Sequence, residues 1–384
     1  MPQTLICDRR NTLISTHTMR YVPILSTKKG ELEALSRMNG QTFARAVPLL
    51  EAKGPVWDFE NGKYKRSLSE HLSKLESELS ATLSGTSVFL DGRELGDELI
   101  NETVHPLKYV IDSMRAKGCY VVPVVSIEST AVYRSAVREC ASDAREICIR
   151  IPVQQFKDVD RSIVELEGLV REMGSFPGAT HLVFDCGLYS ESNGERVLEE
   201  ILPAVANAHK WASLVFAASS MPRRMPKTDG VHVVDRPEFR FYVERILGDR
   251  RIGDIVVFGD YAVESPEPAA TVDPRFMNPA NNFRYLAGNK WLIARGGKLR
   301  PDGSGPLIPV MRELSARPEF EVGFSECESW IQAVVGDPNR KKAGNSKMWR
   351  RFGTLRHVEK TVEILSEIAP PLAQVVPAEP VLTA

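Results

Sequence analysis

The chain has 384 residues, of which 43% are apolar and 26% charged, and it carries 49 basic and 50 acidic side chains. This composition is typical of a globular protein and excludes a disordered or collagen-like chain. The near-zero net charge excludes a basic field over the whole chain, so any contact with nucleic acid has to be local.

The six cysteines are scattered and form no CxxC pair, which predicts free thiols in a reducing compartment. No apolar run reaches the roughly 18 to 20 residues of a membrane span, and the N-terminus lacks the pattern of a signal peptide. We therefore expect a cytoplasmic protein with no membrane contact. Residues 1–20 are polar and aperiodic and are expected to form a loose arm.

Eight short apolar segments recur along the chain, with amphipathic helical sequence in most intervals. They are Tyr21–Leu25, Ala46–Glu51, Ser87–Asp91, Cys119–Val125, Ile147–Ile151, His181–Asp185, Ser213–Ala218 and Asp254–Asp260. Their continuous apolar character is typical of parallel strands that are covered on both faces. The pattern predicts an α/β fold, a (β/α)8 barrel of the TIM type. A doubly wound open sheet has the same alternation and is the alternative, but eight consecutive units favour closure.

The last strand is not followed promptly by a helix. Residues 264–351 are rich in Pro, Gly and Asn and are predicted to be an insertion before a closing helix over Leu355–Ile368. Inside the insertion we expect a β-hairpin, with strands Phe283–Leu286 and Trp291–Arg295 around a Gly288-Asn289 turn. The single barrel domain then spans residues 21–369, and the proline-rich residues 370–384 are expected to be a flexible tail.

Polar residues cluster at the predicted strand ends. In a (β/α)8 barrel the carboxyl ends of the strands meet at one face, where the chemistry of such enzymes is found. The residues at or just past these ends are Lys28, Glu51, Asp91, Arg150, Asp185, Ser219, Ser220, Asp260 and Tyr261. We expect the four carboxylates and Arg150 to ring one mouth, although a single strand-end carboxylate can equally cap the loop that follows it.

Crowded carboxylates raise one another's pKa unless a cation compensates them. That cation can be a divalent metal, for which oxygen ligands suit Mg2+ or Mn2+, or the guanidinium of Arg150, Arg223 or Arg224. Arg150 lies within the apolar segment ICIRI and must find a partner. A structural ion pair with Glu51 or Asp185 is the alternative to a role in ligand binding.

The sequence after the seventh strand, with Ser219 and Ser220 before Arg223 and Arg224, is typical of a loop that holds an anion, and a plain solvated loop is the alternative. We therefore expect a phosphate-bearing ligand, a nucleotide or nucleic acid, at the mouth. If the protein is an enzyme, metal-assisted or acid–base phosphoester chemistry fits best. The catalytic candidates are then Glu51, Asp185 and Asp260, with Arg150 as an anion clamp.

A second basic cluster lies in the insertion and is interleaved with tryptophans. Its members are Lys290, Arg295, Lys298, Arg300, Arg340, Lys341, Lys342, Lys347, Arg350, Arg351 and Arg356, with Trp291, Trp330 and Trp349. Basic and aromatic side chains together suit a phosphate backbone or unstacked bases. The same surface could instead contact a protein partner in a non-catalytic scaffold, and a solvated, charge-balanced face is the third alternative.

Five segments of the chain resemble the phage "beta protein" family, which takes its name from a bacteriophage T4 protein. They are YVPILSTKKGELEAL, VPLLE, FGDYA, YLAGNKWLIARGGK and GNSKMWRRFGTLRHVEKTVEIL. The resemblance implies a barrel of unestablished activity that occurs in phages and in mobile or defence-associated bacterial loci. It thus implies a setting of antiviral defence or a phage complex. The positions to which it points are Lys28, Glu31, Glu51, Asp260, Tyr261, Arg295, Trp349 and Arg350.

Overall fold

A computed structural model describes residue 14 and residues 18–141, 145–267 and 276–368. The strands in this part of the chain are β1 (Tyr21–Ser26), β2 (Leu49–Glu51), β3 (Trp57–Asp58), β4 (Lys63–Tyr64), β5 (Ser87–Asp91), β6 (Tyr120–Val125), β7 (Ile147–Pro152), β8 (Thr180–Leu188), β9 (Ser213–Ser219), β10 (Gly230–Asp235), β11 (Val256–Asp260), β12 (Ala280–Ala287) and β13 (Lys290–Lys298). The helices are α1 (Lys29–Leu35), α2 (Gly40–Phe43), α3 (Leu68–Leu83), α4 (Pro106–Ala116), α5 (Ala131–Cys140), α6 (Val159–Glu172), α7 (Glu191–Arg196), α8 (Leu202–Ala208), α9 (Pro237–Phe241), α10 (Leu307–Ser315), α11 (Glu326–Gly336) and α12 (Ser346–Ile368).

The predicted (β/α)8 barrel is confirmed. Eight parallel strands close in the order β1-β11-β9-β8-β7-β6-β5-β2, so the open-sheet alternative is wrong. Closure depends on β1, which has a neighbour on each side. Its Ile24 is paired with Leu49 of β2, and its Tyr21 is paired with Phe258 of β11. The carboxyl ends of all eight strands therefore meet at one face.

Alternation along each strand decides where the rim side chains point. One set of strand residues fills the barrel interior, among them Val22, Val257 and Tyr261. The other set packs outward against the helices, among them Tyr21 and Phe258. Successive side chains of a strand face opposite sides, so neighbours at a strand end serve different layers of the molecule.

The far end of the barrel is covered by residues of the expected N-terminal arm. Ile14 and Met19 are buried against the interior side chains, and the amide of Ile14 donates to Glu146 at 3.2 Å. These two residues are therefore not loose. Most of the arm, and the expected flexible tail over residues 370–384, lie outside the described residues.

The predicted hairpin is confirmed as β12 and β13, which join at Gly288, a glycine with the positive φ of +60° that the turn requires. A third strand that the sequence did not predict, β10, pairs with β13 and gives an antiparallel sheet in the order β10-β13-β12. We refer to it as the inserted sheet. Helices α10 and α11 pack on its outer face.

The closing helix begins earlier than predicted. It starts at Ser346 and not at the predicted Leu355, so its first turns lie within the stretch that was assigned to the insertion. The first turns of α12 carry Trp349 and Phe352, which pack in the core of the insertion, whereas Leu355 and Val358 belong to the barrel core. The apolar side chains of α12 thus pack against the insertion in its first turns and against the barrel further along. A search for residues that face the barrel therefore misses the start of this helix.

Among the helices of the described ranges, none is both long and apolar enough to span a bilayer.

Candidate functional site

Arg150, from β7, occupies the centre of the barrel mouth. Its Nε donates to Oδ2 of Asp185 at 2.9 Å, and Nη2 lies 2.8 Å from the same oxygen. Nη1 donates to Oε1 of Glu51 at 2.9 Å and to Oδ2 of Asp91 at 3.3 Å. Nη2 also donates to the Tyr261 hydroxyl at 2.8 Å, and that hydroxyl donates to Asp185 at 2.6 Å. One guanidinium therefore joins the ends of four strands and the residue after β11.

Two further cations, which are partly accessible to solvent, complete the charge balance of this mouth. Arg93 forms a two-pronged pair with Asp91, with contacts of 2.9 and 2.6 Å, and the Lys53 amine lies 3.2 Å from Glu51. The side chain of Asp91 is 4% exposed and that of Glu51 is 25% exposed. Glu51 is thus the carboxylate of the cluster with the most access to solvent.

The electrostatics of the mouth keep the ion pairs charged. Burial by itself lowers the pKa of Arg150, but Asp185, Tyr261, Glu51 and Asp91 together raise it well above its usual range. Burial raises the pKa of Asp91, whereas Arg93 and Arg150 lower it more, so the net shift is downward. The Asp91 carboxylate thus stays ionised because two guanidinium groups face it.

In this structure the Arg150 guanidinium is the cation that compensates the rim. It contacts both Glu51 and Asp185, the two partners that the sequence offered as the alternative to a role in ligand binding. Among the described residues, no group of three or more His, Cys, Asp or Glu side chains is arranged to hold a metal ion. The oxygens that would ligate Mg2+ or Mn2+ are already hydrogen-bonded, so the mouth does not fit either metal.

Asp260 was expected in the same mouth, and that expectation is wrong. Its side chain points outward from the barrel wall, where it accepts hydrogen bonds from Tyr21, from Arg236 at 2.9 Å and from the Ala262 amide at 2.8 Å. The His357 ring nitrogen Nε2 lies 2.8 Å from Oδ2. Asp260 and Tyr261 are consecutive residues, so alternation sends one to the helix layer and the other to the interior.

Asp260 forms a buried cluster of hydrogen bonds and ion pairs with Tyr21, Arg236 and His357, at the contact between the barrel and the insertion. Burial raises the pKa of Asp260, but His357 and Arg236 lower it to about 2. Burial lowers the pKa of His357, so its ring is neutral at pH 7 and Arg236 is the permanent cation. The His357 ring also stacks on Trp291 of the inserted sheet, with centroids 4.8 Å apart.

The two serines after β9 hold their own loop. The Ser219 hydroxyl accepts from the Met221 amide at 3.1 Å, and the Ser220 hydroxyl donates to the Asp235 carbonyl at 3.1 Å. Both hydroxyls are therefore used in local structure. The arginines of the same loop, Arg223 and Arg224, are exposed.

A cleft of about 710 Å³ lies beside the mouth, between the inserted sheet, the start of α12 and the loop after β9. This volume is within the range of about 300–1,000 Å³ that is usual for small-molecule sites. We call it the basic cleft because one carboxylate, Glu264, lines it together with six basic side chains. These are Arg223, Lys227, Arg284, Arg295, Lys298 and Arg350.

Glu264 is the acceptor for the basic side chains at one end of the basic cleft, which we call its inner end. Arg350 donates to its Oε1 at 2.9 and 2.8 Å, Arg284 lies at 3.5 Å, and the Lys28 amine lies 3.7 Å from Oε2. Burial raises the pKa of Glu264, but these three cations lower it to about 2. Two arginines are thus held side by side with a single carboxylate between them.

Glu31, from α1, lies next to this group. Its side chain is 1% exposed and accepts a hydrogen bond from the Ser26 hydroxyl. Burial and the neighbouring charge of Glu264 raise the pKa of Glu31 to about 7. The inner end of the cleft therefore contains one carboxyl group that changes charge near neutral pH.

The basic and aromatic surface expected on the insertion is wrong in its aromatic half. The indoles of Trp291, Trp330 and Trp349 are 1%, 9% and 8% exposed. Trp330 stacks on Phe352 at 4.5 Å, and the Trp349 N–H donates to the Ala343 carbonyl at 2.7 Å. The tryptophans build the core of the insertion, because a three-stranded sheet between two helical layers needs large apolar side chains on both faces.

The residues named from the sequence therefore divide between two places. Glu51, Asp91, Arg150, Asp185 and Tyr261 meet in the mouth, whereas Arg295, Trp349 and Arg350 line the basic cleft and Lys28 lies at its inner end. Sequence reasoning missed Lys227, Asn282 and Arg284 as lining residues. For Arg284 a signal existed, because alternation in the predicted strand places it on the face opposite Phe283 and Tyr285.

Comparison with known families confirms the resemblance seen in the strand, hairpin and helix motifs. A comparison with curated proteins finds no match. The family model described as Beta protein matches residues 21–363, from the first barrel strand into the last helix, and the chain therefore belongs to the Beta protein family.

Proposed function

We propose that the protein binds a phosphate-bearing ligand, a nucleotide or nucleic acid, in the basic cleft. The observation that carries this proposal is the charge of the lining, in which six basic side chains face one carboxylate. Phosphate groups are the common biological anions that such a density of guanidinium and ammonium groups selects.

The charge of the cleft is only partly balanced within the protein. Arg223, Lys227 and Lys298 have no ion pair with any described residue, and Arg284 and Arg350 share Glu264. Arg295 pairs with Asp229, whose side chain is 55% exposed. Like charges held together in a cleft repel one another, and a bound anion relieves that repulsion.

The barrel mouth is a weaker candidate for the ligand than the sequence suggested. The guanidinium of Arg150 is 7% exposed and already has partners on three carboxylates and Tyr261. An anion that entered there would have to displace a buried ion pair, which is costly. The proposal therefore places recognition in the cleft and gives the mouth a structural role.

The test is thermal unfolding with nucleoside mono- and triphosphates and a short oligonucleotide at low salt. Binding to the folded state alone raises the melting temperature. The variant Lys227→Glu/Lys298→Glu should abolish the increase. Lys74→Glu/Lys108→Glu is the matched control, since it makes the same charge change on helices outside the cleft, where both lysines pair with neighbouring carboxylates. If no probe raises the melting temperature of the natural protein, the proposal fails.

For the biological setting, membership of a family with phage relatives supports a role in conflict between phage and host. Cells that express the natural protein should then differ from cells that express Lys227→Glu/Lys298→Glu in the plating efficiency of at least one phage. Equal plating over a broad phage panel would contradict this part of the proposal.

A further inference from the structure

The floor of the basic cleft is a ladder of cations on one face of the inserted sheet. Arg284 lies in the row opposite Ile293, Arg295 lies opposite Asn282, and Lys298 lies opposite Ala280. Directly opposed residues of an antiparallel pair share a face, as do alternate residues along a strand. Between Arg295 and Lys298 the strand contains a β-bulge, whose extra residue keeps Lys298 opposite Ala280. The three basic side chains therefore occupy successive rows on the same side of the sheet.

The spacing of the ladder follows from strand geometry. Residues 284, 282 and 280 of β12 are two apart, and each residue advances the strand by about 3.3 Å, so consecutive rows are about 7 Å apart. In duplex DNA each strand winds around the helix axis and advances along it by only about 3.4 Å per phosphate, whereas the backbone of an extended single strand follows a straight course. A straight ladder with rows about 7 Å apart therefore suits one cation per nucleotide of an extended strand. Adjacent phosphoryl groups of one nucleotide share a bridging oxygen and lie closer together than these rows.

The side of the cleft that faces the inserted sheet also carries basic side chains, and they lie alongside the ladder. Arg350 projects from α12 at the inner end, beside Arg284, and Arg223 and Lys227 project from the loop after β9. A backbone that follows the ladder is thus flanked by positive charge on both sides. This arrangement is the electrostatic groove typical of proteins that bind single strands without reading sequence.

The outer end of the ladder offers surfaces for unstacked bases. Met277 lines the cleft there and is 46% exposed, and the preceding Phe276 is 82% exposed. Phe276 adjoins the lining residue Met277 in sequence, and an exposed phenyl ring at this end is available for a base to stack on.

From the ladder, its spacing and its aromatic end, we infer that the ligand of the basic cleft is single-stranded nucleic acid, held by about three consecutive backbone phosphates. This inference rests on the proposed function and narrows it to one class of ligand.

The experiment measures fluorescence anisotropy of a labelled hexathymidylate with the full-length protein, with unlabelled thymidine oligomers, thymidine triphosphate and a duplex as competitors. Affinity should increase with oligomer length up to about four nucleotides, and the triphosphate and duplex should compete at least tenfold less well. Each phosphate neutralised on a single strand contributes about −0.7 to the slope of log K against log salt, so three contacts predict a slope of about −2.

The variant Lys298→Gln removes the cation of the outermost row and should reduce the slope of log K against log salt by about 0.7. The matched variant Lys74→Gln on α3 should leave this slope unchanged. If the triphosphate competes as well as the hexamer, or if Lys298→Gln leaves the slope unchanged, the single-strand inference is wrong while the proposed phosphate binding stands. If neither the hexamer nor the triphosphate binds, both fail.

Discussion

Arg150 and Asp185 are joined inside the barrel mouth by two contacts from one guanidinium to a single carboxylate oxygen, at 2.9 and 2.8 Å. Their strands β7 and β8 are neighbours, and the same guanidinium extends across the barrel to Glu51 on β2. The pair is therefore the centre of a network that ties opposite parts of the barrel wall together. A buried charge network of this kind is costly to break at one partner, because the other charges remain buried.

We predict that Arg150→Gln destabilises the protein by about 3–5 kcal/mol, since it leaves three carboxylates without their shared cation. The measurement is the free energy of unfolding from urea denaturation. Arg161→Gln is the control, because Arg161 is 78% exposed and pairs with Glu165 on the surface of α6, where a pair contributes under about 1 kcal/mol. Equal losses in the two variants would show that the network adds no stability.

The barrel and the Arg150 pairing could be predicted from the sequence for the same reason. Eight apolar segments and a lone arginine within ICIRI are local signals, and a buried guanidinium needs carboxylates wherever they come from. The position of Asp260 could not be predicted, because both Asp260 and Tyr261 stand at the strand end and the sequence does not fix which of them faces inward. Strand register supplies that information.

The basic cleft was beyond sequence reasoning because its walls come from distant parts of the chain. Strand β10 lies between β9 and β11, where the sequence predicts no strand. Its Gly230 pairs with Arg295, and this pairing brings the loop of Arg223 and Lys227 over the inserted sheet. Arg284 has a local signal, whereas its proximity to Arg350 depends on how α12 docks. Pairings at long sequence separation leave no periodic trace that identifies the partner.

We predict that the acid sensitivity of the protein depends on Asp260. Its pKa is about 2 in the folded protein and is near the ordinary carboxyl value of 3.8 after unfolding. The carboxylate therefore contributes stability above pH 4, on the order of 2 kcal/mol, and this contribution is lost as the pH falls from 4 towards 2. Asp260→Asn should lower the free energy of unfolding at pH 7, and its difference from the natural protein should shrink between pH 4 and pH 2.5. A difference that stays constant over this range would contradict the prediction.

Glu31 should have the opposite dependence on pH. Its pKa is raised from 4.5 to about 7, so the folded protein retains a proton that the unfolded chain has lost. Stability therefore falls as the pH rises from 4.5 to 7, by an amount on the order of 3 kcal/mol, and the full cost is present above pH 7. We predict that Glu31→Gln removes this loss, so that the variant gains stability over the natural protein at pH 8 but not at pH 5.

The control for this prediction lies two residues further along α1. Glu33 pairs with Lys347 at 2.9 Å, and the pKa of Glu33 is lowered despite partial burial because of this lysine and Arg351. Glu33→Gln should therefore lose stability at pH 8, the reverse of Glu31→Gln. If both variants change the free energy of unfolding in the same direction, burial of Glu31 is not the cause of its effect.

The contact between α1 and α12 depends on the absence of a side chain at Gly30, and we predict that Gly30→Ala destabilises the protein by about 1–3 kcal/mol. A Cβ at this position would lie 2.7 Å from the Lys347 carbonyl oxygen and 3.0 Å from Cβ of Arg350, so the two helices would have to separate. Gly40→Ala is the control, because a Cβ there meets no atom within 4 Å and the substitution should be neutral or stabilise slightly. Urea denaturation of both variants makes the comparison. Arg350 also lines the basic cleft, so Gly30→Ala should in addition weaken binding of the hexathymidylate. If the variant loses stability but binds as tightly as the natural protein, the inner end of the cleft does not contact the ligand.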